Sequence, residues 1–176
     1  SEYSLRGHPN VAGLFSSQRF LTRYWNSPLN ANRKRAAAYF RVMLCDAMSP
    51  ALERETQKEK ELRIALGVSD EKLSEEELKK IHLNRHGNQR DCAVCHNRLD
   101  PIGRSMRGLE NGISGVPFKA SLRYLDTNGK LTNIPAENFA NLIAQTTEQS
   151  KYLDCQVSWM IETYLGKDLG LQPQRF

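Results

Sequence analysis

Residues 92–96 read Cys92-Ala93-Val94-Cys95-His96, two thiols three positions apart with an imidazole beside the second. Covalent attachment of haem c asks for this arrangement: two thioethers to the macrocycle's vinyl groups and an axial nitrogen delivered by the next residue. Leu99-Asp100-Pro101-Ile102-Gly103 follows closely. Two other chemistries compete for the same thiols. A thioredoxin-type dithiol would want a preceding strand and a βαβ pattern, whereas Lys-Lys-Ile-His-Leu-Asn-Arg-His-Gly-Asn-Gln-Arg before Cys92 reads as a helix end and a polar loop. Structural zinc could recruit His82 and His86, four apart on one helical face, with Cys92 and Cys95. That set leaves a short connection between the ligand pairs and no task for His96.

The bulk properties suit one domain. The 176 residues can bury a real core, apolar content is 39%, and mean hydropathy is −0.60. No stretch approaches the apolar length of a membrane span. The chain begins at Ser1 with neither Met nor a visible signal peptide, which reads as a processed form or a fragment. Net charge is +5, but the basic residues are scattered apart from Arg33-Lys34-Arg35, and no aromatic–basic interleaving builds a base-stacking platform. The charge reads as a solvated basic surface suited to an acidic protein partner, not to nucleic acid.

Cys45 and Cys155 complete the set of four cysteines. Haem c proteins mature outside the cytoplasm, where disulfides persist. A Cys45–Cys155 bridge would tie the N-terminal helices to the last one and contribute roughly 4–5 kcal/mol by chain entropy. The alternative is a pair of buried thiols.

The elements that must position these groups are mostly helical. Residues 11–25 have loosely helical apolar spacing, and Asn26-Ser27-Pro28 signals a turn. Ala36, Tyr39, Phe40, Met43 and Leu44 predict a core helix over 31–48, ended by Ser49-Pro50. Residues 52–66 carry opposite charges at i,i+4 and predict an exposed helix ended by Gly67. Ser74-Glu75-Glu76-Glu77 caps a helix reaching about Leu83. Pro101 and Gly103 are expected to stop any helix begun at Cys92. Asn128-Gly129 between apolar runs predicts a hairpin over 118–134. The same loop offers Asp126, Asn128 and Glu137 at calcium-loop positions, but Leu131 stands where such a loop requires Gly. From Pro135 the chain reads as helical to its end, with one face of Phe139, Leu142 and Ile143 and another of Cys155, Trp159, Met160, Tyr164 and Leu165, closed by Gly166.

With these residues in place the chain resembles the C-terminal haem-binding modules of large secreted, cytochrome-like bacterial proteins, many of unknown function. The family run is a His six before the first Cys, then C-x-x-C-H, D-P-[IL]-G and a Glu-Asn segment. Here it reads His86, Cys92 to His96, Asp100-Pro101-Ile102-Gly103 and Glu110-Asn111. Ser27-Pro28, the basic Arg33-Lys34-Arg35, Leu44-Cys45, Cys155 and Tyr164-Leu165-Gly166-Lys167 match the flanking pattern, so the resemblance spans most of 11–167. The charged segment at about 52–84 replaces the family's proline-rich stretch, and Gly103 to Asn111 is a looser version of Gly-Phe-Ala-Leu-Glu-Asn. The resemblance implies a single haem c-binding domain over 1–176, mainly α and cytochrome c-like, with one small β-hairpin.

In that reading Cys92 and Cys95 anchor one covalent haem, His96 is the proximal ligand, and the backbone near Asp100-Pro101 holds its other ring nitrogen. His86 is the first candidate for the distal ligand, or else a propionate or backbone partner. Met106 is the second candidate. Met43, Met48 and Met160 read as core fillers. Trp25, Trp159 and Tyr164 suit either porphyrin contact or ordinary core packing. The leading expectation is a periplasmic or secreted mono-haem cytochrome that passes single electrons to or from a redox partner. The alternatives are a haem enzyme or oxidoreductase module with an open iron position, and an interaction domain held by zinc.

Overall fold

A computed structural model describes residues 12–27, 31–48, 57–68, 90–109 and 117–166. The capped helix expected at 74–83, His82, His86, and the Glu110-Asn111 pair lie outside the described residues. The helices are α1 (Gln18–Arg23), α2 (Arg33–Leu44), α3 (Gln57–Ala65), α4 (Arg90–Ser105), α5 (Phe139–Thr147) and α6 (Ser150–Leu165). Strands β1 (Ala120–Leu125) and β2 (Leu131–Ala136) form a two-stranded antiparallel sheet. The chain is mainly α with one small hairpin, as its periodicity and turn residues predict. No helix among the described residues is long and apolar enough to cross a membrane.

Helix α4 lies between α2 and β1, α5 packs on the hairpin, and α6 rests on α2. Two stripes of α2 meet the core, because Ala36, Tyr39, Phe40, Met43 and Leu44 recur at helical spacing and are all buried. Phe15, in a 3-10 turn at Gly13–Ser16, stacks within 5.1 Å of Phe20, 5.3 Å of Tyr39 and 5.8 Å of Phe139 (ring centroids). This aromatic cluster joins the N-terminal turn, α1, α2 and α5. Burial pushes the Tyr39 phenol up, partly offset by its hydrogen bond with Thr146. Within 12–25 the helix expected there forms as two short pieces, separated where Ser17 turns extended and its Oγ accepts from Phe20 N.

The hairpin sets Leu122 against Ile134 and Ala120 against Ala136 on its buried side. Its turn is tied by Asp126, whose Oδ1 accepts from the amides of Asn128 and Lys130, while Gly129 takes φ 75°. Pro135 belongs to β2, opposite Ser121, and does not open the C-terminal helix. A two-stranded sheet has only edge strands, so the missing N–H is tolerated.

Three further expectations change. Helix α2 ends at Leu44, ahead of Ser49-Pro50, because Cys45 adopts the left-handed φ of 51°. Helix α3 ends in a paired closure, Gly67 N to Ile64 O and Val68 N to Arg63 O, with Gly67 at φ 71°. It is not wholly exposed, since Leu62 and Arg63 are buried. Helix α6 does not bury its apolar face. Cys155 is its buried residue, whereas Leu153, Val157, Trp159, Met160, Tyr164 and Leu165 are exposed, as is Trp25. Met160, Trp159, Tyr164 and Trp25 are thus not core fillers.

Candidate functional site

The motif lies inside α4, which runs on through Pro101 and Gly103 where a stop is expected. Pro101 sits in the helix interior, where it removes one ladder hydrogen bond at a cost of about 3 kcal/mol. Burial outweighs that loss: Leu99, Ile102 and Met106 all enter the core, and Ser105 Oγ donates to Ile102 O at 2.7 Å. Gly103 does not end the helix either. A Cβ there would stand 2.8 Å from Ala31 O, so glycine is what lets the Ala31–Asn32 turn close onto α4. That turn is itself left-handed, with φ of 46° at Ala31 and 65° at Asn32, and Asn32 N donates to Asn26 Oδ1 at 2.6 Å.

This contact places Arg33, the first residue of α2, beside the helix turn that carries Asp100. Arg33 donates from Nε to Asp100 Oδ1 at 2.6 Å and from Nη2 to Oδ2 at 3.4 Å. Asp100 Oδ2 in turn lies 3.1 Å from His96 Nδ1, one helical turn back. With its proton on Nδ1 the ring donates to the carboxylate, leaving Nε2 as the nitrogen that would ligate a metal. Burial raises the Asp100 carboxyl, but the hydrogen bonds from His96 and Arg33 and the attraction to both outweigh it, bringing the pKa down to about 2. The sequence points to the backbone near Asp100-Pro101 for this ring nitrogen, and among the described residues the Asp100 carboxylate meets it.

Positions 92, 95 and 96 are i, i+3 and i+4 of one helix and so share a face. Cys95 is half-buried and packs against the core, and the His96 side chain is 18% exposed. The donor set therefore fits haem c in kind: two thiol positions and an imidazole on one helical face, the imidazole oriented by a carboxylate. Met106 is fully buried in the core cluster, the seat of a packing residue. His86 lies outside the described residues. Among the described residues no cluster of three or more His, Cys, Asp or Glu suits a metal ion, and the zinc set depends on His82 and His86, which are not described. The strand–helix–strand setting of a dithiol enzyme is also missing among the described elements, where the one sheet is the hairpin after the motif.

A second set of groups fixes the far side of α4. Arg98 is buried and donates through Nη2 to Asp46 Oδ2, through Nε to Arg123 O at 3.0 Å and through Nη1 to Met48 Sδ at 3.4 Å. Its guanidinium lies 4.5 Å from the centroid of Phe40. Asp46 follows Cys45, whose sulfur is at disulfide distance from that of Cys155, with the Cα atoms 5.3 Å apart. The basic run 33–35 also resolves into structure. Arg33 holds Asp100, and buried Arg35 donates to Leu21 O and Tyr24 O at the end of α1 and to Asn32 Oδ1 just before α2. Neither Arg33 nor Asp46 and Arg98 carries a sequence signal for these roles. The pairings span 67 and 52 residues.

Compared with known protein families, curated proteins and solved structures, the chain has no match.

Proposed function

We propose that the protein is a mono-haem c-type cytochrome domain that passes single electrons in an oxidising compartment outside the cytoplasm. The observation that carries the reading is the Cys92–Cys95–His96 face of α4 with His96 Nδ1 set on Asp100. Cys92 and Cys95 would hold the porphyrin by thioethers and His96 would ligate its iron, which supplies a one-electron ferric/ferrous couple. The chain's own contribution is orientation. Asp100 selects the tautomer of His96, Arg33 fixes Asp100, and Gly103 admits the turn that delivers Arg33. The Cys45–Cys155 pair supports an oxidising compartment. The net charge of +5 favours an acidic redox partner.

One observation favours a second reading, a haem enzyme with an open iron position. A carboxylate on the proximal imidazole makes it a stronger donor, which suits ligand activation as well as electron transfer. Absorption spectra of protein made with export and haem-c maturation, before and after dithionite, separate the two. Sharp reduced α and β bands support the electron-transfer domain. A broad high-spin spectrum overturns it in favour of the open site, and a colourless protein overturns both.

A further inference from the structure

We propose that Arg33 is a positioning residue that sets the donor strength of His96 through Asp100. The inference rests on the haem reading and adds to it a control of the iron's potential from another helix. The geometry is a relay of three side chains. The guanidinium forks onto both oxygens of Asp100, at 2.6 and 3.4 Å, and Oδ2 also meets His96 Nδ1 at 3.1 Å. One carboxylate oxygen thus serves two donors. The more of its charge Arg33 takes, the less Asp100 draws the Nδ1 proton, and the weaker the imidazole becomes as an electron donor at Nε2. A strong donor stabilises the ferric state, so Arg33 raises the potential and Asp100 lowers it.

The relay also has a mechanical input. Arg33 is the first residue of α2, directly after the left-handed Ala31–Asn32 turn, and Ala31 O occupies the space that a Cβ at Gly103 would need. Gly103 lies one turn beyond Asp100 on the same helix. The fork is therefore held by a backbone contact between α2 and α4 and does not depend on Arg33 alone to find its partner.

The test is a redox titration of the matured holoprotein, with resonance Raman reading the iron–histidine bond where the iron is high-spin. Asp100→Asn is expected to raise the potential and Arg33→Gln to lower it. Arg33→Lys keeps the charge and is expected to restore most of the wild-type value, which also covers a poorly folding Arg33→Gln protein. The shift caused by Arg33→Gln should shrink in the Asp100→Asn background, because the relay is then cut. Equal shifts of Arg33→Gln in both backgrounds, or a potential unmoved by either single change, would overturn the relay while leaving a haem protein. Wild-type protein that takes up no haem under working maturation would overturn the haem reading and the relay with it.

Discussion

Reducing the Cys45–Cys155 bridge should release α6 and lower the stability of the whole domain. The cysteines are 110 residues apart in sequence, and the closed loop contains α3, α4, the hairpin and α5. For a loop of that length the chain-entropy relation gives about 5 kcal/mol at 25 °C. In a chain of this size each kcal/mol moves the midpoint by about 2–4 °C, so the loss corresponds to roughly 10–20 °C. The structure adds where the effect should appear. Helix α6 buries Cys155 and leaves much of its apolar face exposed, and among the described residues Gln156 Nε2 ties it to α2 by donating to Val42 O at 3.0 Å. Its first turn is held separately by Lys151, which donates to Leu125 O at 3.0 Å. Thermal unfolding followed by circular dichroism, with and without reductant and on the Cys45→Ala/Cys155→Ala double variant, measures the total. Hydrogen exchange should show residues 155–165 losing protection first. Midpoints of the oxidised and reduced proteins within about 2 °C of each other would contradict a stabilising bridge, since even a heavily discounted loop entropy exceeds that.

Other substitutions test the frame around the motif. Gly103→Ala gains about 1 kcal/mol of helix propensity but drives a Cβ against Ala31 O, 2.8 Å away. Overpacking of that kind costs about 1–3 kcal/mol, so a net loss is expected in urea unfolding, and a gain would show the turn to be pliant. Asp46→Ala strands the buried Arg98 and should cost about 3–5 kcal/mol, read by the same assay, with a loss under about 1 kcal/mol contradicting the role given to the pair. Asp100 has its folded pKa lowered from 3.8 to about 2, so its contribution is present above pH 3.8 and is lost as the pH falls through the folded value. In haem-free protein Asp100→Asn should flatten the acid limb of stability between pH 3.8 and 2, and an unchanged limb would contradict the Asp100 contacts.

Much of this architecture was legible where local chemistry and burial agree. The α2 stripe from Ala36 to Leu44 and the turn at Asn128-Gly129 both speak through short spacing. Pro101 shows where local rules lose: its cost is fixed at about 3 kcal/mol, but the burial of Leu99, Ile102 and Met106 around it is a tertiary quantity. Helix α6 fails in the opposite direction, because an apolar stripe states what can be buried, not that a described element covers it. The Arg33–Asp100 fork and the Arg98–Asp46 pair join charges far apart in the chain, and nothing in composition distinguishes those arginines from their solvated neighbours. Arg33-Lys34-Arg35 looked like a surface cluster for this reason, yet Arg35 caps α1 and Arg33 steadies the candidate ligand.

The proposed function requires a covalent haem on Cys92 and Cys95. Its most direct test is a denaturing gel stained for haem, paired with mass spectrometry of the peptide containing residues 92–96, on protein exported with haem-c maturation. Stain that survives denaturation is expected in the wild type, with one haem on that peptide and loss of the stain in Cys92→Ser/Cys95→Ser. An unstained wild-type band beside a stained control cytochrome would contradict it.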